Sequence, residues 1–110
     1  MTLPATSDVL RGTLDLLILK TLALEPMHGW GISERIQQIS QDALRVGQGS
    51  LYPALQRMDN RGWVTSEWKM NDDGRRTKVY ALTPEGRRAL AQELDSWRNY
   101  VGAVELILST

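Results

Sequence analysis

The chain has 110 residues, the length of a single domain, and its 42% hydrophobic content is enough for one modest core. It contains no cysteine and one histidine, which excludes disulfides and thiolate metal sites and leaves no basis for a zinc site or a hydrolytic triad. The net charge is zero, but residues 45–88 carry nine Lys and Arg against five Asp and Glu, a local charge of +4. Such asymmetry suggests one electropositive face, and we expect neither enzyme activity nor a metal or cofactor.

The start of the chain predicts a cytoplasmic protein without a membrane partner. Residues 1–10 lack the basic start and the apolar run of a signal peptide. The longest apolar stretch, residues 14–24, is interrupted by two charged side chains and is too short to span a bilayer.

The first predicted element is a helix from Leu10 to Leu24, which Pro26 prevents from continuing. Its apolar side chains go almost all the way round the helix, so it should be buried on more than one side. In so small a chain this pattern suggests contact with a partner subunit. We therefore expect Leu14 and Leu17 at a dimer interface.

Two more helices are predicted before the first clear strand. His28 and Gly29 read as a turn, residues 30–41 as the second helix, and residues 44–46 as a short strand. The third helix should run from about Ser50 to Arg61, with Pro53 tolerated in its first turn. Three apolar residues at helical spacing turn it towards the core: Leu51, Leu55 and Met58.

The second half of the chain predicts a β-hairpin and one long helix. Residues 63–70 and 77–82 are rich in strand-forming residues, and the turn sequence Asn-Asp-Asp-Gly at 71–74 connects them. Thr83 and Pro84 form a helix start, and the last helix should reach Leu108. We therefore predict a mainly α fold with a small β-hairpin: a winged helix-turn-helix domain over residues 1–83 and a dimerisation helix over 84–110, in one compact unit.

The third helix has the outward face that a recognition helix requires. Base edges in the major groove are read by amide, guanidinium and hydroxyl groups, which this face offers. Cations at the hairpin could meet phosphates or the minor groove. The alternative is a solvated helix and a soluble loop, since Asp72 and Asp73 at the hairpin tip would repel phosphate. The predicted DNA-binding residues supported by this pattern are Ser50, Tyr52, Gln56, Arg57, Lys69, Arg75, Arg76 and Lys78.

Two other polar features favour structural roles. His28 has no identifiable nucleophile or carboxylate partner in the sequence, so we interpret it as a turn residue rather than a general base. Asp72 and Asp73 precede Gly74 and are more typical of turn chemistry than of a metal site.

The last helix carries an unbroken heptad seam. Its apolar residues recur at spacings of 4, 3, 4, 3 and 4: Leu90, Leu94, Trp97, Val101, Val104 and Leu108. Because the helix is longer than a small winged-helix core needs, we predict a two-fold dimer in which it packs on the first and last helices of the partner. Gly102 would mark a close helix crossing. The alternative is that the seam folds back on its own domain.

Several segments together resemble the PadR family of bacterial transcriptional regulators. They are the Leu-rich first helix and the segments 28–32 (HGWGI), 49–55 (GSLYPAL), 61–64 (RGWV) and 74–86 (GRRTKVYALTPEG). The resemblance implies a homodimeric winged-helix regulator of the short form, often a repressor and sometimes released by a small molecule. It places Tyr52 and Pro53 at the start of the recognition helix, adding Pro53 to the DNA-binding residues, and Arg75 and Arg76 in the wing.

The leading hypothesis is a repressor that binds a pseudo-palindromic operator in double-stranded DNA as a homodimer. The alternative is a winged-helix protein-interaction module without DNA binding, which the neutral net charge and the acidic hairpin tip keep open. Trp97 is either an interface anchor or part of a pocket for a small hydrophobic effector. Trp30 and Trp63 depart from the family pattern, which more often has Tyr and a smaller aliphatic residue there.

Overall fold

A computed structural model describes residues 8–110 as four helices and one three-stranded antiparallel sheet. This confirms the predicted mainly α winged helix-turn-helix. Residues 1–7, which include most of the segment that lacks a signal-peptide pattern, lie outside the described residues. The elements are α1 Asp8–Leu24, β1 Met27–His28, α2 Gly29–Ile39, α3 Gln48–Asn60, β2 Val64–Met70, β3 Arg76–Leu82 and α4 Pro84–Leu108.

The sheet has one strand more than the predicted hairpin. Met27 pairs with Tyr80 and His28 with Val79, so the strand order is β1-β3-β2. His28 is therefore not a simple turn residue: it ends β1 and caps α2, and its Nδ1 accepts the Gly31 amide at 3.0 Å. Two residues are too few to show strand periodicity, and the edge of β3 is what makes this segment extended.

The predicted strand at residues 44–46 does not form. Arg45 alone takes part in an isolated bridge. The segment is held instead by Ser40, whose Oγ accepts the Leu44 amide at 3.0 Å. A local side-chain hydrogen bond of this kind competes with strand pairing.

Helix α3 begins two residues earlier than predicted, at Gln48, with Gly47 as its N-cap. Pro53 is consequently inside the helix rather than in its first turn, which corrects the prediction. Without an N–H group, Pro53 cannot donate to the carbonyl of Gly49, so one helical hydrogen bond is missing on the exposed side of α3.

Helix α1 lies at the centre of the fold and contacts α2, α4 and β3. Leu14 is only 4% exposed and belongs to the core of its own chain, and its place at a dimer interface stays a prediction. Leu17 is partly buried against the same core. The largest fully buried side chains are Ile18, Leu19, Leu22, Ile32, Leu51, Leu55, Met58 and Val64.

The start of α4 is fixed to the rest of the domain. Thr83 Oγ1 accepts the Gly86 amide at 3.0 Å and donates to the Gly62 carbonyl at 2.6 Å, so the predicted N-cap also ties the helix to the end of α3. Gly86 packs so closely on the Trp63 carbonyl that a β-carbon would overlap it. Among residues 8–110, no helix is long and apolar enough to cross a membrane.

Candidate nucleic-acid interface

The β2–β3 hairpin, residues 64–82, which we call the wing, separates its side chains onto two faces. Trp68 pairs with Lys78, and Met70 pairs with Arg76. Since side chains alternate along a strand, Trp68, Arg76 and Lys78 share one face of the wing. Lys69, one residue further along β2, lies on the opposite face, where its Nζ is 3.2 Å from Glu67 Oε1.

The first of these faces borders a recess between the wing and the starts of α2 and α3. The recess has a volume of about 500 Å³. It combines aromatic rings with basic groups, a composition suited to an anionic partner that also offers apolar surface. It is lined by His28, Gly29, Trp30, Tyr52, Trp68, Arg76, Thr77, Lys78 and Tyr80.

Aromatic rings position both cations of the wing face. The guanidinium carbon of Arg76 is 5.2 Å from the centroid of the Trp68 ring, and Lys78 Nζ is 5.8 Å from that of Tyr80. Both distances are within the range of a cation–π interaction, which restrains a flexible cation without neutralising it. Burial of Tyr80 raises the pKa of its hydroxyl above the ordinary value for tyrosine.

Tyr52 reaches the recess because residue 29 is glycine. A β-carbon at residue 29 would lie 2.8 Å from Cε1 and 3.0 Å from the hydroxyl of Tyr52. The Tyr52 ring therefore rests on the first turn of α2. This contact brings the start of the predicted recognition helix next to the wing.

The outward face of α3 carries exposed polar groups as predicted. Tyr52, Pro53 and Gln56 are exposed, together with Asn60. Gln56 Nε2 donates to Asn60 Oδ1 at 3.1 Å, so the two amides lie side by side along the helix. Such amides can pair with adenine edges in the major groove.

Two predicted α3 residues lie away from this face. At 100° per residue, Ser50 and Arg57 fall on one stripe of the helix, which is turned away from Tyr52. Ser50 is half-buried, and the Arg57 guanidinium Nη2 donates to Asp15 Oδ1 on α1 at 3.1 Å. The structure therefore does not bring Ser50, Arg57 or Lys69 together with the residues of the recess.

Arg75 lies at the exposed wing tip. The conformation of this tip is set by hydrogen bonds to Asn71 and by the backbone of Gly74. Asn71 Oδ1 accepts the backbone amides of Asp73 at 3.0 Å and Arg75 at 2.9 Å. Gly74 has a φ of +79°, a conformation that favours glycine, so the turn prediction for 71–74 is confirmed. In the part of the chain that the structure describes, no group of His, Asp and Glu could hold a metal ion.

Sequence analysis missed six of the nine residues that line the recess, among them His28, Trp30 and Trp68. Trp30 and Trp68 are 50% and 58% exposed, which is unusual for tryptophan. Strand alternation could have found Trp68, because it places that residue on the Lys78 side of the hairpin. Trp30 could not have been found this way, since only the tertiary fold brings the start of α2 to the wing.

The predicted effector residue Trp97 lines a small cavity between α1 and α4. The cavity has a volume of about 150 Å³ and also contacts Leu16, Glu93 and Tyr100. The rings of Trp97 and Tyr100 are 6.2 Å apart. Burial and the nearby Asp15 carboxylate raise the pKa of Glu93 above its usual value.

Exposure varies along the predicted dimer seam of α4 and is greatest at its end. Leu90, Leu94, Val101 and Val104 are half-buried, while Trp97 is 39% and Leu108 is 70% exposed. Near the end of the helix, Leu106 and Ile107 are also exposed. The chain therefore leaves the distal part of α4 uncovered.

The sequence model of the transcriptional regulator PadR-like family matches residues 18–92. Transcriptional regulator Rv3488 of Mycobacterium tuberculosis is 37% identical over 83 residues, which are 76% of this chain and 74% of that protein.

Solved structures show the same architecture. A transcriptional regulator from Clostridium thermocellum superposes with a TM-score of 0.82 at 27% identity, covering 90% of this chain and 96% of that one. A PadR-like transcriptional regulator from Bacillus cereus has a TM-score of 0.78 at 27% identity and covers 94% and 99%. With the family model matching more than half of its length, the chain belongs to the PadR-like family of transcriptional regulators.

Proposed function

We propose that the protein is a repressor that binds a pseudo-palindromic operator in double-stranded DNA as a homodimer. The observation that carries the proposal is the convergence of Tyr52, Arg76 and Lys78 on one recess between α3 and the wing. These three residues come from two separate elements, and family membership supports a DNA-facing role for both of them.

In the proposed complex, α3 lies in the major groove and the wing follows the neighbouring backbone. Gln56 and Asn60 present amides to base edges. Arg76 and Lys78 face phosphates, and the indoles of Trp30 and Trp68 pack on deoxyribose beside them. Arg75 at the tip extends this contact. Ser50, Arg57 and Lys69 have no part in it.

A homodimer would place two copies of α3 on the same side of the duplex. The distal half of α4, where the single chain leaves Trp97, Tyr100 and residues 106–108 exposed, supplies the proposed interface. Two recognition helices related by a two-fold axis read half-sites about 10 bp apart or a multiple of that. A footprint with one asymmetric half-site at full affinity would contradict this arrangement.

The wing offers a matched pair of variants for testing the DNA contact. We expect Arg76→Ala to weaken binding to every duplex and to reduce the slope of log K against log salt by about one, because one phosphate contact is lost. Lys69→Ala removes an equal charge from the opposite face and should leave affinity and slope nearly unchanged. Gel shifts at several salt concentrations measure both quantities. Equal effects of the two variants would overturn the assignment of faces.

The same titration separates this function from the protein-interaction alternative. Phosphate contacts release counterions and give a steep negative salt slope, whereas a module without DNA binding gives none. Recovery of bound fragments from a random pool would then identify the operator.

A second role, effector binding, is favoured by the cavity beside Trp97. At about 150 Å³ it is smaller than the pockets that hold drug-sized ligands, so a partner subunit would have to complete it. The alternative is that Trp97 is only an interface anchor. Trp97 fluorescence in a background with Trp30, Trp63 and Trp68 replaced by Phe tests this role. Planar compounds that release DNA should change that fluorescence, and no change would contradict the pocket.

A further inference from the structure

Asp15 is the one charged residue that the described part of the chain buries. Its side chain is 7% exposed and lies on α1, in the interior of the domain. Taking a carboxylate out of water is costly unless a charged or hydrogen-bonding partner compensates it. Its contacts therefore indicate what the residue does for the fold.

One partner of Asp15 is on α3, the proposed recognition helix. Arg57 Nη2 lies 3.1 Å from Asp15 Oδ1, and the Arg57 side chain is 30% exposed. The other described ion pairs are between more exposed side chains, as in Arg35–Glu25 at 40% and 59%. Because screening by water is weaker at a buried site, the Asp15–Arg57 pair has the more defined geometry.

A directional contact can fix the rotation of α3 about its own axis, which its apolar contacts do not. Leu51, Leu55 and Met58 hold α3 against the core, but apolar packing is non-directional. A charged hydrogen bond at Arg57 restrains the rotation of α3 about its own axis. Rotation of the helix would move the neighbouring Gln56 and the Tyr52 ring away from their present positions.

The charge of Asp15 also acts on α4. Its charge is one cause of the raised pKa of Glu93 on α4, and Glu93 lines the cavity beside Trp97. Asp15 on α1 thus contacts α3 through Arg57 and influences Glu93 on α4.

We infer that Asp15 is a positioning residue for DNA recognition: by holding Arg57, it fixes the orientation in which α3 presents Tyr52 and Gln56 to the duplex. This inference rests on the proposed function. It also reassigns Arg57, which sequence analysis placed among the residues that read bases, to the support of the helix.

The two roles of Arg57 predict effects of opposite sign when the Asp15 charge is removed. If Arg57 itself contacted DNA, Asp15→Asn would release its guanidinium and strengthen binding. If the pair orients α3, the same change weakens binding to the preferred sequence. Non-specific binding, which depends on phosphate contacts made elsewhere, remains.

The experiment compares Asp15→Asn with the wild-type protein on two duplexes of equal length. One is selected from a random pool by the wild-type protein, and the other is an unselected random sequence. We expect about tenfold weaker binding to the selected duplex, the scale of one lost base contact, and an unchanged salt slope on the unselected one. Glu25→Gln, which removes a carboxylate from the exposed pair with Arg35, is the control and should change neither.

Combined variants test whether the effect passes through Arg57. The double variant Asp15→Asn with Arg57→Gln should bind the selected duplex no worse than Asp15→Asn alone, because both changes break the same contact. If Asp15→Asn fails to fold by circular dichroism, Arg57→Lys keeps the charge with a different geometry. It should then show the loss of preference in a folded protein.

Unchanged or stronger binding of folded Asp15→Asn to the selected duplex would overturn the inference, as would an equal loss on both duplexes. An unchanged preference of Arg57→Lys would do the same where Asp15→Asn does not fold. If the wild-type protein binds neither duplex, the proposed function itself fails, so the two failures are distinguishable.

Discussion

The two halves of α4 share one heptad pattern and differ in what covers them. In the first half, Gly86 and Ala89 are buried, and Leu90 packs on the core of the same chain. In the second half, Leu106 and Leu108 are 73% and 70% exposed. The comparison teaches that heptad periodicity identifies an apolar face but does not say whether the covering surface belongs to the same chain or to another.

The largest expected effect is in the first half. Gly86→Ala places a β-carbon into the Trp63 carbonyl, where backbone rather than a flexible side chain must move. We expect a loss of about 3 kcal/mol of unfolding free energy, at the upper end of overpacking costs. Chemical denaturation measures it. A stability within experimental error of the wild-type value would show that α4 is not held at this contact.

The second prediction uses two equally exposed leucines. Leu108 lies on the heptad seam and Leu106 does not. If the seam forms the dimer, Leu108→Glu should raise the dimer dissociation constant about a hundredfold or more, because the dimer loses two large apolar side chains and each contributes roughly 1.5–3 kcal/mol of burial.

Leu106→Glu is its matched control and should leave that constant nearly unchanged. Sedimentation equilibrium measures the association of both variants. If both substitutions changed the dissociation constant equally weakly, the dimer interface would not include the seam at Leu108.

The smallest expected effect is at Gly102. In the single chain a β-carbon at this position has no atom within 4 Å. In the Leu108→Glu background, at concentrations where the protein is monomeric, Gly102→Ala should therefore raise stability by about 1 kcal/mol through helix propensity.

With the native Leu108, the same Gly102→Ala change tests the predicted close helix crossing. A partner helix at this point would be displaced by the added methyl group, and the dimer would weaken. Thermal unfolding of the double variant with Leu108→Glu measures the change in stability. Sedimentation of Gly102→Ala with the native Leu108 measures the change in dimer association. Destabilisation of the monomer would contradict the open surroundings of Gly102.

Much of the fold could be predicted from the sequence because its signals are local. The Asn71–Gly74 turn, the Thr83 cap and the spacing of Leu51, Leu55 and Met58 each depend on residues within one element. The structure forms all of these features. The order of elements then leaves few alternatives to a winged helix-turn-helix.

The predictions that failed depend on contacts between distant residues. The β1 strand, which the sequence did not predict, forms because β3 has a free edge. Leu14 is buried in the core of its own domain, and its contact with a partner subunit stays a prediction. An apolar position on a helix carries no information about which chain will cover it.

The amino-acid sequence determined one part of the candidate site, and the tertiary structure determined the rest. Residue type and strand alternation put Arg76 and Lys78 on one side of the wing, and helical spacing turned Tyr52 and Gln56 outward. Only the tertiary structure decided that Trp30 joins the same recess and that Arg57 faces Asp15, 42 residues away in the sequence. The physical reason is that periodicity fixes the direction of a side chain relative to its own element, whereas its partner depends on how the elements pack together.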